Sequence, residues 1–135
     1  MNEKTSKLIA ALQVATEGLL WISEIDAPFE IVQWQNLSIP FVNEQLLKLT
    51  GHSGDTSVEV IEVDDFFSAA TEEQDWFGDE EKAIAKRYQE VVSALKQHLN
   101  QLKVYRMGDI NIDIYIVGIT ESGEMIGLAT QAVET

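Results

Sequence analysis

The chain has 135 residues, of which 45% are hydrophobic and 24% are charged, and its formal net charge is −14 at pH 7. This length and apolar fraction are typical of one globular domain, so the acidity does not indicate intrinsic disorder. A strongly negative surface repels phosphates, which excludes direct binding of nucleic acid. The chain contains no cysteine, which excludes disulfides, thiolate zinc sites and cysteine nucleophiles.

The negative charge is concentrated in the first part of the chain. Residues 1–80 hold sixteen Asp or Glu against three Lys, whereas residues 81–135 hold seven acids against six bases. Between Lys48 and Lys82 there are eleven acidic residues and no Lys or Arg. An asymmetry of this size produces a one-signed field that attracts cations and cationic surfaces. It therefore favours a basic partner.

The chain begins with an amphipathic helix, which is followed by a polar elbow and a strand. Three apolar residues recur at helical spacing on one face: Leu8, Leu12 and Ala15. Gly18 can terminate this helix. The elbow Ser23–Asp26 comes next, and the run 29–34, which follows Pro28, has the composition of a strand.

Short elements with acidic termini are predicted in the middle of the chain. We expect a loop over 36–40, a short helix over 42–50 and a short strand over 58–63. The segment Thr71–Gln74 matches a capping box, which is a sequence signature of a helix N-terminus.

The last part of the chain predicts one long helix and then strands. The helix runs from about Asp79, its expected N-cap, to Leu99. Its predicted buried face is formed by residues at helical spacing: Ile84, Tyr88, Val91, Val92, Leu95 and Leu99. Isoleucine alternates with other residues over 110–117, which predicts a strand with one core face. A turn over 121–124 leads into a last strand over 125–133.

This order of elements predicts a single α+β domain over residues 1–135, with a mixed, largely antiparallel sheet between helices and a C-terminal meander. No apolar run approaches the ~20 residues that a membrane-spanning helix requires. The N-terminus contains no recognisable secretory core. We therefore expect a soluble, cytoplasmic protein.

Signals for catalysis and for metal binding are weak. His52 and His98 lie far apart in the sequence, and neither lies beside a plausible nucleophile, so surface or capping roles are expected. Asp109–Asp113 has the start of a calcium-loop pattern, but Ile114 stands where that pattern requires glycine. The acidic residues of 72–81 are interpreted as a solvated helix terminus. We predict no enzymatic activity, no cofactor and no metal ion held by this chain itself.

Two features are not explained by helical or strand periodicity. Trp76 follows Asp75 in an acidic segment, and it either fills a corner between helices or is an exposed interface anchor for a basic partner. At the C-terminus, Thr135 follows Glu134 directly after a predicted strand. A hydroxyl and two carboxylates held there together would suit Mg²⁺ or its hydration shell.

Seven short segments occur in order along the chain: Glu17–Leu20, Ser23–Glu24 with Pro28–Glu30, Thr50–His52, Asp65–Ser68, Gln74–Trp76, Val104–Arg106 and Val133–Thr135. Together they resemble the nuclease A inhibitor family of cyanobacteria, and the resemblance covers essentially the whole chain. It implies a monomeric, three-layer α/β/α sandwich.

The resemblance also implies a partner and a set of contact residues. Family members bind and block a sugar-non-specific DNA/RNA endonuclease whose active site holds a magnesium ion beside basic residues. Glu24 would replace a scissile phosphate against an arginine, and Thr135 would approach the magnesium ion of the partner. Asp75 would pair with a basic group, and Trp76 would pack as the apolar anchor.

Two other functions are compatible with the residues. The chain could be an acidic adaptor that docks on a different basic protein without inhibiting a nuclease, or a domain that binds a small molecule or a metal. Co-purification with a different basic protein would favour the adaptor.

Overall fold

The computed structural model describes residues 3–34, 47, 51–52, 56–71, 75–121 and 123–134. Within these ranges the chain forms helices and strands in alternating groups. The elements in chain order are α1 (Glu3–Thr16), β1 (Leu20–Ile22), β2 (Asp26–Pro28), β3 (Glu30–Trp34), β4 (Val58–Ile61), α2 (Val63–Thr71), α3 (Asp79–His98), β5 (Asn100–Met107), β6 (Asn111–Ile119) and β7 (Met125–Val133).

Five strands form one sheet in the order β3-β7-β6-β5-β4, and β1 pairs with β2 in a separate hairpin. Every strand pair among the described residues is antiparallel. Strands β5, β6 and β7 are consecutive neighbours and form the predicted C-terminal meander. The α+β class is confirmed.

One face of the sheet packs against the helices in a continuous hydrophobic core. Leu8 and Leu12 of α1 and Leu95 of α3 are fully buried there against Ile114 and Ile116 of β6. Burial of apolar area in such layers is the dominant favourable contribution to folding. The helical periodicity of α1 and the alternation of Ile112, Ile114 and Ile116 identify this face correctly, whereas Ile110 precedes β6 and is 54% exposed, so the prediction was wrong there.

The opposite face of the sheet is also covered, which the alternation in β6 did not predict. A second cluster contains Val117 of β6, Met125 of β7 and Leu47, the one described residue between positions 35 and 50. The prediction of a single core face for β6 was therefore wrong at Val117, because strands in the centre of a layered fold are buried on both sides. The loop predicted over 36–40 and most of the helix predicted over 42–50 lie outside the described residues.

The helix N-terminus predicted at Thr71 is wrong. Thr71 is the last residue of α2, which begins at Val63, and its hydroxyl donates to the carbonyl of Phe67 at 3.1 Å. One half of a capping box is instead at the start of α3, where the Glu81 carboxylate accepts the Gly78 N–H at 2.9 Å. The N-cap is thus Gly78, one residue before the predicted Asp79, and glycine has no side chain to accept the second hydrogen bond of a full capping box.

Two substitutions in α3 test which face of the helix is buried. Leu95 is fully buried, whereas Ile84 is 44% exposed, although the sequence periodicity placed both on the core face. We expect Leu95→Ala to lower the free energy of unfolding by about 2–5 kcal/mol and Ile84→Ala by at most about 1 kcal/mol. Urea denaturation followed by circular dichroism measures both, and equal losses would contradict the packing.

Candidate functional site

The predicted elbow is the loop of the β1–β2 hairpin, and it is joined to the end of β7. Residues 23–25 connect paired positions Ile22 and Asp26. The Val133 N–H donates to the Ser23 hydroxyl at 3.0 Å, and the Glu24 N–H donates to the Val133 carbonyl at 3.4 Å. A three-residue hairpin loop held at two points has little conformational freedom. Glu24 is therefore presented on a fixed loop beside the C-terminal end of the last strand.

The base of this hairpin is anchored by aromatic packing and by a tyrosine hydroxyl. Trp21 of β1 stacks on Phe66 of α2 with ring centroids 4.4 Å apart. The Tyr88 hydroxyl of α3 donates to the Leu20 carbonyl. Burial raises the pKa of Tyr88 to about 12, although the charge of Arg87 acts in the opposite direction. The hydroxyl therefore stays protonated at neutral pH and remains a hydrogen-bond donor to β1.

The chain beyond β7 is held by a backbone contact and by an arginine. The Glu134 N–H donates to the Ile110 carbonyl at 3.0 Å. The Arg106 guanidinium donates to the carboxylate of Glu134 and, at 2.9 Å, to that of Glu59. Burial of Arg106 disfavours its charge, but the hydrogen bonds and charges of the two carboxylates outweigh this and raise its pKa. Glu134 is thus fixed through both its backbone and its side chain.

Asp75 and Trp76 lie in the turn between α2 and α3. Trp76 is 76% exposed, and its ring contacts Phe77 edge-on at a centroid distance of 4.7 Å. The structure therefore favours the interpretation in which Trp76 is exposed over the one in which it fills a corner between helices. Asp75, Asp79 and Glu80 are exposed, and none has a cation partner among the described residues. An exposed indole beside unneutralised carboxylates is suited to a basic protein surface.

Part of the acidic excess is neutralised by bases from the second half of the chain. Three acids of the base-free segment are paired across elements: Glu59 with Arg106, Glu62 with Lys103 and Asp64 with Lys96. These contacts join β4 and α2 to β5 and α3. The other described acids of this segment, apart from Asp65, lie at the turn before α3 or in its first turn, and none of them has a cation partner among the described residues.

His52 has a structural partner that the sequence did not indicate. Its ring nitrogen Nε2 lies 2.7 Å from the Asp113 carboxylate of β6, and Gln131 of β7 donates to the other oxygen of Asp113 at 3.2 Å. The imidazole is mostly buried, so its role is to hold the Gly51 turn against the sheet, which replaces the predicted surface role. Asp113 therefore takes part in this contact from within strand β6.

The described residues contain no group of three His, Asp or Glu side chains arranged to hold a metal ion. In the same ranges, no helix has the length and apolar composition to cross a membrane.

The structure brings together some of the predicted site residues. Glu24 and the end of β7 lie side by side, whereas Asp75 and Trp76 are on a separate turn. Thr135 lies outside the described residues, and it follows the fixed Glu134. The sequence did not single out Ser23 or Arg106 for these contacts, because each acts on a residue more than 25 positions away.

The joint between elbow and strand can be tested with Ser23→Ala. The substitution removes the acceptor of the Val133 N–H, so we expect a loss of about 0.5–1.5 kcal/mol in the free energy of unfolding and faster hydrogen exchange at Val133. Ser68→Ala is the matched control, because its exposed hydroxyl only donates to the Asp65 carbonyl in its own helix. If Val133 exchanges at the same rate in Ser23→Ala as in the unmodified protein, the hydroxyl does not hold the strand end.

Comparison with known families covers nearly the whole chain. A family model described as nuclease A inhibitor-like protein (NuiA) matches residues 6–135. No curated protein is similar enough to count as a match. The matched range includes the elbow, the turn at Trp76 and the chain end. The chain therefore belongs to the nuclease A inhibitor-like protein family.

Proposed function

We propose that this protein binds and blocks a sugar-non-specific, magnesium-dependent endonuclease in a 1:1 complex, as a monomer that performs no chemistry itself. Its family supports an inhibitory role. The observation that carries the mechanism is the hydrogen-bonded joint that holds Glu24 beside the end of β7. This joint places Glu24 beside the end of β7, which leads into Glu134 and Thr135. Glu24 and the carboxylate at the chain end can therefore enter a single cationic cleft.

Glu24 acts as the substitute for a scissile phosphate. A carboxylate presents two oxygens that can accept a bidentate pair of hydrogen bonds from an arginine of the nuclease. Because the loop of residues 23–25 is already fixed to Val133, little of its conformational entropy is lost when the complex forms. A rigid carboxylate therefore binds more tightly than the same group on a mobile loop.

Thr135 contacts the magnesium ion of the partner, directly or through its hydration shell. Its hydroxyl and α-carboxylate are oxygen ligands of the kind that Mg²⁺ prefers. One peptide bond, ~3.8 Å between Cα atoms, links it to the fixed Glu134. The contact of Glu134 with Ile110 supports this role, because it fixes the residue to which Thr135 is bonded.

Asp75 and Trp76 form a second contact region on the same partner. The exposed indole of Trp76 provides the large apolar area that is enriched at interface hot spots. Asp75 pairs with a basic group at the rim of the nuclease cleft. The unpaired carboxylates at the start of α3 add long-range attraction, which raises the association rate more than the final affinity.

Titration of the pure protein into a metal-dependent, non-specific nuclease assay tests the proposal. We expect stoichiometric inhibition at low salt and slower association at moderate salt, because salt screens the attraction between the acidic inhibitor and the basic cleft. Absence of inhibition over a panel of such nucleases would contradict the proposal. Co-purification with an unrelated basic protein would then support an acidic adaptor.

Substitutions at the two contact regions test whether binding is focused. We expect Glu24→Ala and Trp76→Ala each to weaken binding by about 2–5 kcal/mol, which is roughly thirty-fold to several thousand-fold in Kd. Glu90→Ala is the control, because it removes one exposed carboxylate in the middle of α3 and should cost only ~0–1 kcal/mol.

Thermal denaturation of the same variants separates binding from folding. The melting temperature of Trp76→Ala should be unchanged, since the ring is mostly exposed. Equal losses of affinity in all three variants would indicate diffuse charge mimicry in place of focused anchors.

Deletion of Thr135 should weaken inhibition without unfolding the protein, and full potency after this deletion would exclude its contact with the metal.

A further inference from the structure

Arg106 connects the sheet to the chain beyond its last strand. It lies on β5 directly opposite Glu59 of β4, and its guanidinium binds the carboxylates of both Glu59 and Glu134. We propose that Arg106 is a positioning residue for the C-terminus: by holding Glu134 it sets the direction in which the last residue leaves the sheet. This inference rests on the proposed function, because it concerns the role of the chain end in binding the nuclease.

The contacts beyond Val133 explain why such a residue is needed. Strand β7 ends at Val133, and after that point the Glu134 backbone makes one hydrogen bond to the part of the chain that the structure describes, to the Ile110 carbonyl. Terminal residues are poorly ordered unless they are held by further contacts. The side-chain contact from Arg106 is the second point of attachment, and two points fix an orientation that one does not.

The surroundings of Arg106 keep its guanidinium in one place. Its side chain is only 20% exposed, and it lines a shallow cleft together with Trp21, Ile61, Phe66 and Glu134. Glu59 holds the guanidinium from the β4 side, and the planar fork of five donors has a fixed geometry. The guanidinium is therefore oriented before it meets Glu134, which ordinary surface ion pairs between flexible chains do not achieve.

The charge of Arg106 has the wrong sign for a direct contribution to binding. A cation near the end of an inhibitor that enters a basic cleft repels the partner. If charge alone mattered, removal of Arg106 would tighten the complex, and removal of Glu134 would weaken it. A positioning role predicts that both removals weaken the complex. Whether the removal of Arg106 weakens or tightens binding therefore distinguishes a positioning role from an effect of charge alone.

Inhibition assays with matched variants measure whether the loss of Arg106 weakens or tightens binding of the nuclease. We expect Arg106→Met to weaken inhibition about tenfold through faster dissociation, because the chain end must then be ordered during binding. Arg106→Lys should recover part of the loss, and Glu134→Ala should also weaken inhibition. Lys96→Met is the control, because it removes the same charge from an ion pair with Asp64 on another part of the fold, and its potency should be unchanged or slightly higher.

The double variant Arg106→Met/Glu134→Ala shows whether the two residues act through each other. We expect its loss of potency to be smaller than the combined losses of the two single variants, since each removes the same contact. Additive losses, or tighter inhibition by Arg106→Met, would overturn the proposal.

A measurement without nuclease separates this proposal from the proposed function. Heteronuclear NOE values of the Glu134 and Thr135 backbone amides should fall in Arg106→Met and stay unchanged in Lys96→Met. If the unmodified protein inhibits no nuclease, the proposed function fails, but the NOE values still decide whether Arg106 orders the chain end. Unchanged NOE values in both Arg106→Met and Glu134→Ala would overturn the positioning role.

Discussion

The position of β7 inside the sheet is the constraint on which the rest of the structure depends. This strand lies between β3 and β6, and its residues Ile126 and Leu128 are fully buried. Strand β7 pairs with β6 over its whole length and with β3 over residues 125–129, and near its end the Val133 backbone bonds to Ser23 and Glu24 instead. The residues that follow it therefore start from a fixed point. The Ser23 hydroxyl binds Val133, the last residue of this strand, and Arg106 binds Glu134, the residue after it.

The charge distribution in space differs from the charge distribution along the chain. The acidic first part of the chain meets the balanced second part at β4, β5, α2 and α3, where three ion pairs form between elements. The ion pairs of Lys96 and Lys103 are exposed on both sides and contribute little stability. Their larger effect is to neutralise acids on one part of the surface and leave those near Trp76 unneutralised. The described surface at the start of α3 therefore presents a local group of negative charges beside an exposed apolar ring.

Much of the fold could be predicted from the sequence, because periodicity reports which residues face a core. The helical spacing of Leu8 and Leu12 and the alternation of Ile112, Ile114 and Ile116 both identified buried residues correctly. Errors arose where a pattern has two structural solutions. Val117 is buried on the second face of a covered sheet, and Ile84 continues a helical spacing beyond the part of α3 that contacts the core.

The candidate site was only partly predictable for a different reason. Glu24 and Trp76 were singled out through resemblance and local context, but their surroundings depend on contacts between distant positions. The hydroxyl of Ser23 meets Val133 across 110 residues, and Arg106 meets Glu134 across 28. A single sequence contains no periodic signal for such pairs. The same holds for the contact of His52 with Asp113, which replaced a predicted surface role.

The order of synthesis gives the position of β7 one further consequence. Among the described strands of the large sheet, β3 pairs with β7 alone, and the β1–β2 loop is held by the same late strand. The ribosome completes residues 125–133 after the other described strands, so β3 and the β1–β2 loop can make these contacts only once that strand has been synthesised. An unfinished chain therefore has neither a closed sheet nor a fixed Glu24, and long-range pairing of this kind is slow compared with the formation of helices. The edge that carries Glu24 can therefore form only after β7 has been made and has paired with β6.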